Sequence, residues 1–189
     1  MPRTPDPAKQ ADLLKRCVEF ALKTGSLDLR LETLADAVGT SARMLIYHFG
    51  SKEALHNALL AQLEVILRTR FSAFAAAART SIQPRAGSYA QAVAAILAIW
   101  DELTAPQMRG LLYLSAELRY RALRGDSAAR RVAMTQTTAW RKLLVQWGIG
   151  SATARDVLML VEGATTDFLL TGDAGPGRKA LARTLGRRG

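Results

Sequence analysis

The chain is poor in the residues that most chemistry requires. It has one cysteine, two histidines and 6% aromatic residues in 189. Cys17 has no second thiol in the chain to bridge to, and beside Leu14 and Ala21 it reads as a small core side chain. His48 and His56 occur without a His-Glu-x-x-His pattern or a cysteine pair, so the spacing of a zinc site is missing and no cofactor is expected. Residues 172–179, GDAGPGRK, resemble a phosphate loop. Arg178 stands where lysine should follow Gly177, neither Ser nor Thr follows Lys179, and no strand-like segment precedes, so a turn is the better reading. Asp101, Glu102, Glu117, Glu162 and Asp167 are scattered, and nothing in their spacing brings two carboxylates together. Catalysis is not expected. No apolar run reaches the roughly 18 residues of a membrane span. The opening MPRTPDPAKQ lacks the apolar centre of a signal peptide, so the expected location is the cytoplasm. Period-two alternation is absent throughout, which removes strands and leaves an all-α chain.

What the chain does have is helical periodicity, with 49% hydrophobic residues to fill a core. Its organising stretch is Leu31 to Leu55, LETLADAVGTSARMLIYHFGSKEAL. Leu34, Ala35 and Val38 form one apolar stripe on a short helix that Gly39 ends, because glycine tolerates the left-handed conformation beyond a helix C-terminus. Ser41 then offers a side-chain oxygen to the free backbone N–H groups of a second helix, Ala42 to His48. Leu45 and Phe49 pack back on the first helix, so Arg43, Met44, Tyr47 and His48 are expected to point outward. A short helix that presents a cation, an aromatic ring and polar atoms suits a DNA major groove. An ordinary helical hairpin with a solvated polar face is the plainer alternative.

Gly39-Thr40-Ser41, Leu45, Tyr47-His48-Phe49 and Ser51-Lys52-Glu53-Ala54-Leu55 together resemble the helix-turn-helix signature of TetR-type transcriptional regulators. The resemblance is specific over residues 7–55 and continues only in helical layout thereafter. The sequence departs from the family pattern at Arg43 in place of a small residue, Met44 in place of Thr or Ser, and Ile46 in place of a phosphate-touching Tyr. Base preference therefore does not carry over. The resemblance implies a three-helix DNA-binding domain over residues 1–51 and a helical ligand-binding and dimerisation bundle over 52–189. It further implies a bacterial homodimeric repressor that binds a palindromic operator and is released by a small, hydrophobic effector. The alternative is a DNA-organising protein with the same head that answers to a partner protein or to nothing. The DNA-binding residues implied are Arg30, Thr40, Ser41, Ala42, Arg43, Met44, Tyr47, His48 and Lys52, with His48 and Lys52 at phosphate-contacting positions and Arg30 in the place of the usual helix cap.

The net charge is +10, yet residues 1–50 hold seven Lys/Arg against six Asp/Glu, so bulk charge is not what marks the head. The excess lies in Arg130-Arg131, Arg141-Lys142 and the tail from Arg178 to Arg188, and a solvated basic face explains it, with added nonspecific attraction to DNA as the minor alternative.

Around the head, a first helix is expected from Pro7 to Thr24 and a long one from Lys52 to about Arg79, with Ser51 as its cap. SIQPRAGS reads as a loop, followed by helices over Tyr89–Leu103, Pro106–Leu123, Ser127–Trp147 and Ala152–Thr171, a GDAGPG loop and a short basic tail helix. Ala133, Trp140 and Trp147 recur every seven residues with Leu144 in the same seam, and the 152–171 helix is apolar nearly all round, so Ala133, Trp140, Leu144, Trp147, Val161 and Phe168 are candidates for a dimer interface. Trp100, Met108, Tyr113, Trp140 and Met159, with Glu117 or Glu162 as a polar handle, are candidates for a ligand cavity between helices. For each of these side chains an internal core position is the open alternative, and Glu162 is equally able to pair with Arg119 or Arg155.

Overall fold

A computed structural model describes residues 6–27, 30–81 and 89–186. The expected 81–88 loop falls almost wholly outside the described residues, as do Arg3, Asp28, Arg187 and Arg188. Regular structure among the described residues is all helical. In chain order the helices are α1 (Pro7–Thr24), α2 (Leu31–Ala37), α3 (Ala42–Phe49), α4 (Lys52–Ser81), α5 (Tyr89–Leu103), α6 (Arg109–Leu123), α7 (Ser127–Gln146), α8 (Ser151–Thr171) and α9 (Gly175–Gly186), with a 3-10 turn over Pro106–Met108 leading into α6. None of them is long and apolar enough to cross a membrane.

Local chemistry sets the boundaries. Asp6 accepts a hydrogen bond from the Ala8 N–H, Pro7 occupies the first turn of α1, and Gly25 ends it at φ 69°. Ser41 accepts from Met44 N–H at 3.2 Å and Ser51 from Ala54 N–H at 3.0 Å, opening α3 and α4 as the sequence predicts. Asp126 does the same for α7 through Ala129 N–H at 2.9 Å. Each such cap is worth about 1 kcal/mol. α2 begins at Arg30 with no side-chain cap. The GDAGPG segment differs from expectation: only its first half is loop. Asp173 accepts from Gly175 N–H at 2.8 Å, Pro176 suits an opening turn, and α9 starts at Gly175.

Burial falls into three apolar clusters strung along the molecule. The first joins α1 to α4 through Leu13, Cys17, Leu34, Ala35, Val38, Leu45, Leu55 and Leu59. A second holds Ala21, Leu60, Leu63, Met108, Leu111, Leu114, Leu118 and Val132, and a third holds Trp100, Leu143, Leu144, Trp147, Val157, Leu181 and Leu185. Because α1 and α4 each supply residues to both the first and the second cluster, the head is joined to the body by shared core rather than by a linker. Cys17 is fully buried in that core, and burial pushes its thiol up to about 11, so it stays protonated and inert.

As its nearly all-round apolar sequence suggests, α8 is buried on more than one side, against α6, α7 and α9, yet it keeps one bare face: Met159 is 61% and Leu170 82% exposed, and Glu162, Gly163 and Thr166 are exposed with them. Composition reports how apolar a helix is, and does not report which side its neighbours leave bare.

Candidate nucleic-acid interface and interior cavity

The head is built from the inside outward. Leu45 is fully buried against Leu34, Ala35 and Val38, and this fixes the roll of α3 about its own axis. Arg43, Met44 and Tyr47 are thereby left exposed together on the opposite side, with Ser41, Lys52 and Arg30 exposed and Thr40 and Ala42 half-buried around them. His48 departs from its expected place. It is only 5% exposed, its Nδ1 is enclosed, and its ring meets Tyr47 edge-on with centroids 5.1 Å apart. The reason is helical geometry: His48 lies three residues after Leu45 and so shares the inward side. It buttresses the reading face from behind instead of reaching outward.

Two α1 side chains that sequence reasoning missed hold the helix-turn-helix unit together. Gln10 Nε2 donates to the His48 carbonyl at 2.6 Å, and Arg16 donates to the Val38 carbonyl while also bonding Asp12 at 2.8 Å. Val38 caps the C-terminus of α2, and His48 sits in the last turn of α3, where carbonyls lack helical partners and a cation is favoured. The Asp12-to-Arg16 spacing of four is the one sequence signal here, and it points to a local pair and not to the Val38 carbonyl.

Head and body meet at α6. Glu117 accepts from the Leu27 backbone N–H at 2.6 Å through one oxygen and from Arg121 at 3.0 Å through the other. Arg121 also lies 3.1 Å from His56 Nε2, whose second neighbour is Asp126 at 3.7 Å. Burial, with the Arg121 charge beside it, holds the His56 pKa below its usual value, so the imidazole stays neutral in this join. Tyr113 packs on Gly25 and its hydroxyl donates to the Leu169 carbonyl at 3.3 Å. Glu117 and Tyr113, expected as ligand groups, are thus structural groups that tie α6 to the end of α1 and to α8. Met159 is on the outer face of α8 and is likewise no cavity residue.

The body does hold a partly open cavity of about 150 Å³ between α4, α5, α6, α7 and α8. Of the expected residues, Trp100, Met108, Trp140 and Glu162 line it. Trp140 forms an aromatic wall with Phe71, edge-on at 4.9 Å, and Phe74 at 5.9 Å. Glu162 is paired with Arg119 at 3.1 Å, which settles its partner between the two arginines considered. Arg70, Ser115, Thr165, Gln136 and Thr137 complete the polar part of the lining. The last two lie one turn before Trp140, a signal that was present in the sequence, whereas Arg70 had none.

The residues expected at a dimer interface turn inward. Leu144, Trp147 and Phe168 are buried, Ala133 packs on the second cluster, Trp140 is held between α4 aromatics, and Val161 lines the cavity. The seven-residue seam is real, but α4, α6 and α8 of the same chain pack on α7 and cover it.

No family model and no curated protein matches the sequence. Solved structures match the fold. A TetR transcription regulator from Haloarcula marismortui superposes with a TM-score of 0.68 at 18% identity, over 95% of this chain and 98% of that one. A transcriptional regulator from Rhodococcus sp. Rha1 gives 0.68 at 20% identity over 94% of each chain. Multidrug binding protein EbrR complexed with proflavin gives 0.63 at 22% identity, over 93% of this chain and 98% of that one.

Proposed function

From the fold that it shares with TetR-family transcription regulators, we propose that this protein is a DNA-binding transcription regulator, acting as a homodimer on a palindromic operator and released by a small molecule held in its body. The carrying observation is the α3 face, where a buried Leu45 fixes Arg43, Met44 and Tyr47 outward on a helix short enough to enter a major groove. Lys52 and Arg30 flank that face at positions suited to phosphates.

Gel-shift titration against DNA flanking the protein's own gene tests the reading. A specific complex with a two-fold symmetric footprint is expected. Arg43→Ala should relax preference at one base pair, since a bidentate contact to guanine discriminates by about 1–3 kcal/mol. Lys52→Ala should weaken all sequences alike and lower the salt slope by about one. An Arg43→Ala protein with unaltered base preference would remove that residue from base reading.

For assembly, the exposed apolar residues Met134 and Val145 on α7 and Met159 and Leu170 on α8 support a two-fold contact on the outer face of these helices. Met159→Glu is expected to leave folding intact, shift sedimentation to monomer and abolish tight operator binding; a variant that remains dimeric would locate the contact elsewhere.

Release has a mechanical basis in α6. Leu111, Leu112, Ser115, Leu118 and Arg119 of this helix face the cavity, while Gly110, Glu117 and Arg121 face the head junction. A cavity of about 150 Å³ is smaller than the roughly 300 Å³ at which drug-sized sites begin, so such a ligand either extends through the open side or displaces a wall, and release requires the second. Movement of α6 carries its contacts with α1 along. EbrR, a neighbour in fold, is a multidrug binding protein seen with proflavin, which supports a small-molecule ligand for this fold. By linkage, the ligand must weaken DNA binding by the factor by which DNA weakens ligand binding.

A further inference from the structure

We infer that the effector of this cavity is an apolar molecule bearing one anionic group, with Arg70 as the residue that selects for it; this rests on the cavity being the effector site. Three charged side chains line the cavity, Arg70, Arg119 and Glu162, and their sum is positive. Glu162 is already neutralised, because Arg119 Nε lies 3.1 Å from its carboxylate and ties α6 to α8. Arg70 differs: it has no ion pair or hydrogen bond among the described residues, it is exposed, and it directly precedes Phe71 of the aromatic wall. An aryl group lying against Phe71 and Trp140 therefore extends toward a guanidinium with its donors free, the geometry in which a planar carboxylate is bound by two parallel bonds. A cation in the same place would meet Arg70 as a like charge and would have to take Glu162 from a tethered competitor. The aromatic faces attract cations weakly, but an adjacent unpaired arginine offsets that attraction. The rest of the lining is mainly apolar, and about 150 Å³ admits a ring with a short alkyl substituent without rearrangement.

The test uses the full-length protein and three probes of one shape: 4-ethylbenzoate, 4-ethylbenzamide and 4-ethylbenzylammonium. Binding is followed by calorimetry and by tryptophan emission, to which Trp140 in the wall responds. The acid is expected to bind about ten-fold more tightly than the amide, as a charge-assisted bond allows, and the ammonium more weakly than either. Arg70→Gln should bring acid and amide within about two-fold of one another, and Arg70→Glu should invert the order so that the ammonium binds best. Both variants alter an exposed side chain, and an unchanged thermal midpoint verifies the fold. Amide or ammonium binding as tightly as the acid would overturn the charge assignment while leaving the cavity as a ligand site. Failure of all three to bind would overturn the cavity reading and this inference with it. An acid preference that survives in Arg70→Gln would overturn the role of Arg70.

Discussion

Trp100→Ala is expected to lower the free energy of unfolding by about 3–5 kcal/mol, the cost of emptying a site filled by a large aromatic side chain. Trp100 is 2% exposed at the centre of the third cluster, and its indole N–H donates to the Ala174 carbonyl at 3.1 Å. Its ring also receives α9: a Cβ at Gly177 would stand 2.5 Å from it, so only glycine permits the approach. Removing the ring takes the floor from under α9 and leaves the Ala174 carbonyl without its donor. Urea denaturation followed by circular dichroism measures the effect, and a loss below about 1 kcal/mol would contradict this placement. Trp100 is for the same reason a poor site at which to probe ligand binding by truncation, since lost binding and lost folding would look alike. Trp140, on the cavity wall and only partly buried, reports binding more cleanly.

Gly110→Ala is expected to damage the junction more than any other single methyl group. A Cβ there would overlap the Leu22 carbonyl oxygen, a backbone atom inside α1 that cannot rotate aside. Overpacking of this type costs typically 1–3 kcal/mol, and a clash with rigid backbone belongs at the upper end or beyond. To relieve it, α6 must move away from α1, which stretches the 2.6 Å bond between Glu117 and the Leu27 N–H. DNA affinity should therefore fall even though no DNA-facing residue has changed, and the ability of a ligand to reduce it further should shrink, because the displacement it would cause has already occurred. Operator titration with and without an effector measures both. Wild-type affinity together with a wild-type thermal midpoint would show that α1 and α6 do not meet as described.

The parts legible in the sequence were those written locally. Gly39, Ser41, Ser51 and the apolar positions 34, 35, 38 and 45 act within a few residues of one another, so turn, caps and roll of α3 follow from spacing alone. The helix limits of α1 and α5 were readable for the same reason. What failed depended on partners distant in the chain. Periodicity placed Trp140, Leu144 and Trp147 on one face of α7 but could not say that other helices of the same chain, α4, α6 and α8, rather than a second subunit, cover that face. Tyr113 and Glu117 were selected as a ring and an acid of the right kinds, yet they serve positions 25 and 27, some ninety residues earlier. Glu162 was read with two possible arginines, and only the crossing of α6 and α8 chooses Arg119. His48 was placed outward because only Leu45 and Phe49 were assigned to the inward side of α3, although its spacing of three from Leu45 puts it on that side too.

The bonds from Gln10 and Arg16 to the carbonyls at the ends of α3 and α2 bear on how the head breathes. Short helices of seven and eight residues ordinarily fray, and their amides then exchange with solvent independently of the rest of the protein. Here both C-terminal ends are fastened to α1, so neither can unwind without releasing a side chain of the longer helix. The three helices must open as a single cooperative unit, with the backbone amides of α3 protected to nearly the degree of those around Cys17. If the protein binds DNA as proposed, the exposed face of α3 would meet it already ordered, with little backbone entropy left to lose on association.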